Sequence, residues 1–124
     1  MMIERVDERV EPAPATQTLG LQQFSMRSTR EGDVHAIALV GELDIANADL
    51  VQCELERVEA SDVVAIVLDL SGLTFMDSTG VRLMICAAAR SRADSDRLVV
   101  LRGQPAVQRV FELCGVVELL PLAE

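Results

Sequence analysis

Residues 63–80 read VVAIVLDLSGLTFMDSTG and run directly into VRLMICAAA, residues 81–89. Val63 to Leu68 is apolar and largely β-branched without polar alternation, the pattern of a parallel strand covered on both faces. The period then changes. From Ser78 to about Ala93 the residues suit a helix, with Val81, Met84, Ile85 and Ala88 on one stripe. Between the two periods stands Asp77-Ser78-Thr79-Gly80. Asp and Ser are favoured helix caps, so one duty of Asp77 or Ser78 is to satisfy the free amides of a first turn.

Reading outward, the alternation of strand and helix continues in both directions. Upstream, Leu21 to Arg27 and Val34 to Val40 read as strands, and Ser28 to Asp33 between them has the chemistry of a turn, giving an antiparallel hairpin. After Gly41-Glu42-Leu43-Asp44, the residues Ala48, Val51, Leu55 and Val58 recur at helical spacing, with Glu54, Glu56, Arg57 and Glu59 mostly on the wet side. Downstream, Leu98 to Leu101 reads as a buried strand. Gln104-Pro105 opens a helix whose face is Val107, Val110, Phe111 and Cys114, and Gly115 suits its C-terminal cap. Val116 to Leu120 reads as a last strand ended by Pro121. Right-handed crossovers between such elements give an α/β fold with a mixed, mainly parallel sheet of four to five strands. Residues 1–17, charged and then Pro/Ala-rich, read as a flexible tail, and residues 18–124 as a single domain.

Composition removes several classes of function. The chain has 124 residues, a net charge of −9 and no lysine, which disfavours a nucleic-acid partner. Three Phe with neither Tyr nor Trp leave no stacking platform for single strands. No apolar run is long enough to span a membrane, and the N-terminus lacks the apolar core of a signal peptide, so a cytoplasmic location is expected. Cys53, Cys86 and Cys114 are odd in number and widely spaced, and read as small buried residues. With His35 the lone histidine, neither zinc nor another cofactor is expected.

Consecutive parallel strands send their β-to-α loops to one sheet edge, so Gly41 to Asp44, Ser71 to Ser78 and Arg102 to Gln104 should converge there. Leu73, Phe75 and Met76 are placed to anchor the second loop in the core. A phosphate on Ser78 would meet free amides and the positive end of the helix dipole. It would add about −1.5 to −2 charges beside Asp77 and oppose docking there. A coupling of roughly 1–3 kcal/mol changes affinity about 5- to 150-fold. Enzyme readings are weaker. His35 lies toward the opposite end of its strand from Ser78, and neither a G-x-S-x-G elbow nor a phosphate-binding glycine loop is present. Asp44 with Asp77 could hold a metal or act as acid and base, but solvated loop carboxylates are commoner. Leu83 and Cys86 fall off the buried stripe and suggest an exposed apolar partner surface.

Gly41-Glu42-Leu43-Asp44 after a strand, followed about thirty residues later by Leu73-Thr74-Phe75-Met76-Asp77-Ser78-Thr79-Gly80 before a helix, resembles the bacterial anti-sigma-factor antagonists of the STAS domain family. The resemblance covers roughly residues 19 to 120 and implies a β-α superhelix and a binding module, not an enzyme. It implies that the unmodified domain binds a serine-kinase anti-sigma factor, which releases its sigma factor. The kinase then phosphorylates the domain, and a phosphoserine phosphatase resets it. By position Ser78 is the implied phospho-acceptor, with Asp44, Asp77, Thr79, Gly80, Arg82 and Leu83 as partner-binding residues. The chain departs from the family in having Thr79 where Ser is usual, in its charged N-terminal tail, and in stopping at Glu124 where many members add a helix. A STAS-type scaffold or sensor that binds a nucleotide or small ligand without phosphorylation is the alternative.

Overall fold

The computed structural model describes residues 24–123. The expected tail, residues 1–17, and the start of the first expected strand, Leu21 to Gln23, lie outside them. The order is β1 (Phe24–Glu31), β2 (Val34–Leu43), α1 (Ala48–Glu59), β3 (Ala65–Met76), α2 (Ser78–Asp94), β4 (Leu98–Leu101), α3 (Pro105–Cys114), a single 3-10 turn (Val117–Leu119) and β5 (Leu122–Ala123). The strands lie in sequence order in one five-stranded sheet; β1 is antiparallel to β2, and every later pair is parallel. This is the expected mixed α/β sheet.

The helices form where the local pattern places them. On α1, Ala48, Val51, Leu55 and Val58 are buried, the four residues of its apolar stripe. Pro105 opens α3, and Gly115, at φ 69°, closes it in the left-handed conformation. Buried residues of all three helices join one core with Ile37, Leu39, Ile66, Leu68, Leu70, Leu98 and Val100. Because Ile37 pairs with Leu68 and Leu68 with Val100, these strand residues share one face. Fully burying each such side chain contributes about 1.5–3 kcal/mol. The neighbouring register, Ala36, Val67 and Val99, is only half-buried. Burial along β3 therefore alternates, and the expected coverage on both faces is corrected to coverage chiefly on one.

Strand lengths depart further from expectation. β1 runs on to Glu31, leaving only Gly32 and Asp33 as the hairpin turn. Gly41 to Leu43 and Ser71 to Met76 are strand, not loop, because each segment supplies the other's hydrogen-bonding partner: Leu73 pairs with Gly41, Phe75 with Glu42, and Met76 with Leu43. Two register shifts interrupt this ladder. Gly72 sits at one of them, where an added Cβ would lie 2.8 Å from Val40 Cγ2 and 2.9 Å from the Leu39 carbonyl oxygen. The expected last strand is instead a 3-10 turn pinned by buried Val116 and Leu120, and β5 begins only after Pro121. The three cysteines, read as small buried residues, are free and exposed; for Cys86 this agrees with its place off the apolar stripe, and for Cys114 it corrects the expected apolar face. Among the described residues, no helix is long and apolar enough to cross a membrane.

Candidate functional site

The extended β2 and β3 bring two loops together. Asp77 N–H donates to the Leu43 carbonyl oxygen at 3.2 Å, and Thr74 Oγ1 to that of Gly41 at 3.2 Å. The third expected loop is fastened lower on the sheet, where Gln104 Nε2 donates to the Ser71 carbonyl at 3.2 Å.

Asp77 is the N-cap of α2. Its Oδ1 accepts from Thr79 N at 2.9 Å and Gly80 N at 3.2 Å, satisfying two of the helix's free donors. Ser78, the first residue of the helix, is exposed, while Thr79 is half-buried. Gly80 is buried against the ends of β3 and β2: a Cβ there would lie 2.6 Å from Met76 Cγ and 3.2 Å from Leu43 Cδ2. That close approach seats the first turn of α2 on the two paired strands and presents Ser78 outward.

The other expected site residues divide. Arg82 is exposed one turn beyond Ser78. Asp44 is at the same edge but buried, 6% exposed; its Oδ1 accepts from Ala46 N at 3.0 Å, and its own N–H donates to Asn47 Oδ1 at 3.0 Å. These two hydrogen bonds help to shape the loop before α1. Leu83, expected at the surface, is buried at 6% because α1 packs against α2, with Glu59 bonded to Arg90 across the seam at 3.1 Å. Cys86 is exposed as expected.

Two apolar side chains at this edge escaped the sequence reading. Ile45 is 77% exposed, and Phe75, expected to anchor the loop, is 46% exposed while Leu73 and Met76 are buried. Each lies within three residues of the Asp77–Leu43 hydrogen bond. The register shift between Gly41 and Glu42 offers a signal in hindsight, since a bulge re-aims the side chains beyond it.

His35 pairs with Ile66, ten residues before Met76 along β3, which is about 30 Å of strand. It belongs to a separate network. Ser28 Oγ donates to Glu54 Oε2 at 2.5 Å and lies 2.6 Å from His35 Nε2, so it accepts from the imidazole. Burial, reinforced by Arg57, lowers the imidazole's pKa. Burial raises that of Glu54, but hydrogen bonds from Arg57 and Ser28 outweigh it and hold the carboxyl below its ordinary value. Among the described residues, no group of three or more His, Cys, Asp and Glu side chains is placed to hold a metal ion. A cleft of about 300 Å³ near the start of β4, lined by Glu59, Arg90, Asp94 and Arg97, has its arginines already paired.

An exposed hydroxyl on a capped helix start thus lies at the same end of the sheet as exposed Ile45 and Phe75. The STAS domain family matches residues 25–124, and the chain belongs to that family. It is 33% identical over 89 residues to the anti-sigma F factor antagonist of Lysinibacillus sphaericus, spanning 71% of this chain and 74% of that one. An anti-sigma factor antagonist from Mycobacterium paratuberculosis has a similar structure, with TM-score 0.69 and 25% identity over 81% of this chain and 85% of that one. The Bacillus antagonist SpoIIAA shares the fold in its unphosphorylated form (TM-score 0.66, 24% identity, 81% of this chain and 89% of that one) and its phosphorylated form (TM-score 0.62).

Proposed function

We propose that this chain is an anti-sigma-factor antagonist that binds a serine-kinase anti-sigma factor through the Ser78 edge and so frees a sigma factor. Phosphorylation of Ser78 ends the interaction. In that step Ser78 Oγ takes the γ-phosphoryl group of ATP, ADP leaves, and the hydroxyl proton passes to a base of the kinase. A phosphoserine phosphatase returns the domain to its binding form.

The observation that carries this reading is the exposed Ser78 at the start of α2, at the same sheet edge as exposed Ile45 and Phe75, which lie two residues either side of the Asp77–Leu43 hydrogen bond. The apolar pair supplies area to bury, and the hydroxyl supplies a place to put charge. Its greater exposure favours Ser78 over Thr79 as acceptor. Relatives that bear the name anti-sigma factor antagonist support the partner class, and a related fold known with and without phosphate supports the switch.

Ile45→Glu and Phe75→Glu test the surface. Each should weaken binding to the cognate anti-sigma factor at least tenfold, about 1.4 kcal/mol, with the melting temperature unchanged. Unchanged affinity in both variants would remove this edge as the docking surface.

A further inference from the structure

At the start of α2 the ordinary partners of an anion are mostly taken. Of the amides in the first turn, those of Thr79 and Gly80 already donate to the Asp77 carboxylate. A phosphate on Ser78 therefore does not find the set of free donors that a bare helix N-terminus offers. Among the described residues, the ionisable side chains that the β2–β3 pairing and the first turns of α2 bring toward this end are Asp77 itself, Glu42 and Asp44 on the adjoining β2 and loop, and Arg82 on α2. Three are acids, which oppose a phosphate dianion. The fourth, Arg82, follows Ser78 by four residues in the same helix and is exposed, as Ser78 is. Residues four apart on a helix lie on one face with Cβ atoms about 5–6 Å apart. A helical side chain leans toward the N-terminus, which puts the turn that holds Ser78 within reach of the Arg82 guanidinium. Among the described residues, no acid is paired with Arg82.

We propose that Arg82 holds the phosphate of phosphorylated Ser78 in an intrahelical ion pair. The inference rests on Ser78 being the phospho-acceptor, and it adds a second component to the switch. Phosphorylation both places a dianion on the docking edge and withdraws the edge's arginine from any partner. A guanidinium suits the task because its planar fork matches two phosphate oxygens.

The test uses the full chain with phosphoserine encoded at position 78, so that no kinase is needed, and follows the phosphate resonance through a ³¹P titration. In the wild-type chain the second phosphate pKa should fall below that of the Arg82→Gln variant by roughly 0.15–0.4 unit, the size expected of an i,i+4 ion pair. Arg82→Lys should recover part of the difference, and 1 M salt should shrink it. Equal pKa values in wild type and Arg82→Gln would overturn the proposal. Failure of a kinase to modify Ser78 would count against the proposed function instead, and it is read in a separate assay.

Discussion

Replacing Gly80 by Ala sets two calculable effects against each other. In an open helix interior the change stabilises by roughly 0.5–1 kcal/mol, because alanine loses less chain entropy on folding. Here the new methyl would stand 2.6 Å from Met76 Cγ, with Leu43 Cδ2 and Cγ at 3.2 and 3.3 Å. Met76 is 2% exposed and Leu43 fully buried, so neither can swing into solvent to make room. Overpacking of this kind costs about 1–3 kcal/mol. The net expectation is destabilisation of about 1 kcal/mol, read as a lowered urea midpoint at constant m-value. A double-mutant cycle isolates the cause. Met76→Ala alone should cost about 2–5 kcal/mol. Combined with Gly80→Ala, it should cost less than the sum by about 1 kcal/mol, because the cavity accepts the methyl. Stabilisation by Gly80→Ala, or strict additivity in the cycle, would refute the close seating of α2 on the ends of β3 and β2.

Asp77→Ala should destabilise the domain by about 1 kcal/mol through loss of the N-cap, lowering the melting temperature by roughly 4–8 °C, while Asp77→Asn should retain most of that stability. Acid should weaken the fold in two windows. His35 has a lowered pKa in the folded state, so the unfolded chain takes up its proton first; stability is complete above about pH 6.5 and declines as pH falls below it. The lowered pKa of Glu54 adds stability that is present above its ordinary value near 4.5 and is lost as pH falls through the folded value. Urea titrations from pH 7.5 to 3 should show both declines, and His35→Gln should remove only the upper one.

What was legible in the sequence was mostly local. The buried stripe of α1, the start of α2, β4 and the Pro105-to-Gly115 frame of α3 all depend on periodicity or capping within a few residues, and each lies where its pattern indicates. The errors concern partners distant in sequence. Gly41 and Gly72 look like loop residues, yet they are strand because β2 and β3 extend along one another. Leu83 falls off the first apolar stripe of α2 but is buried because α1 supplies a second one. Val116 to Leu120 has a strand's composition, but pairing with β4 is delayed to Leu122. Arg97, whose guanidinium donates to the carbonyls of Glu59, Ser61 and Val63 at 2.7, 3.2 and 2.9 Å, stood out in no motif. Of the candidate site, Ser78 and its Asp77 cap were readable, whereas Ile45 and Phe75 became visible only with the bulged pairing of β2 and β3.

The central claim is that one hydroxyl, charged or uncharged, decides whether this edge engages its partner. The direct measurement incubates the chain with the cognate anti-sigma-factor kinase and ATP, maps the modified residue by mass spectrometry, and titrates the recovered protein against the same kinase. A single phosphate on Ser78 and at least a fivefold loss of affinity are predicted. Ser78→Ala should bind like the unmodified chain and remain unmodified. Phosphate on another residue, or equal affinity before and after modification of Ser78, would contradict the account.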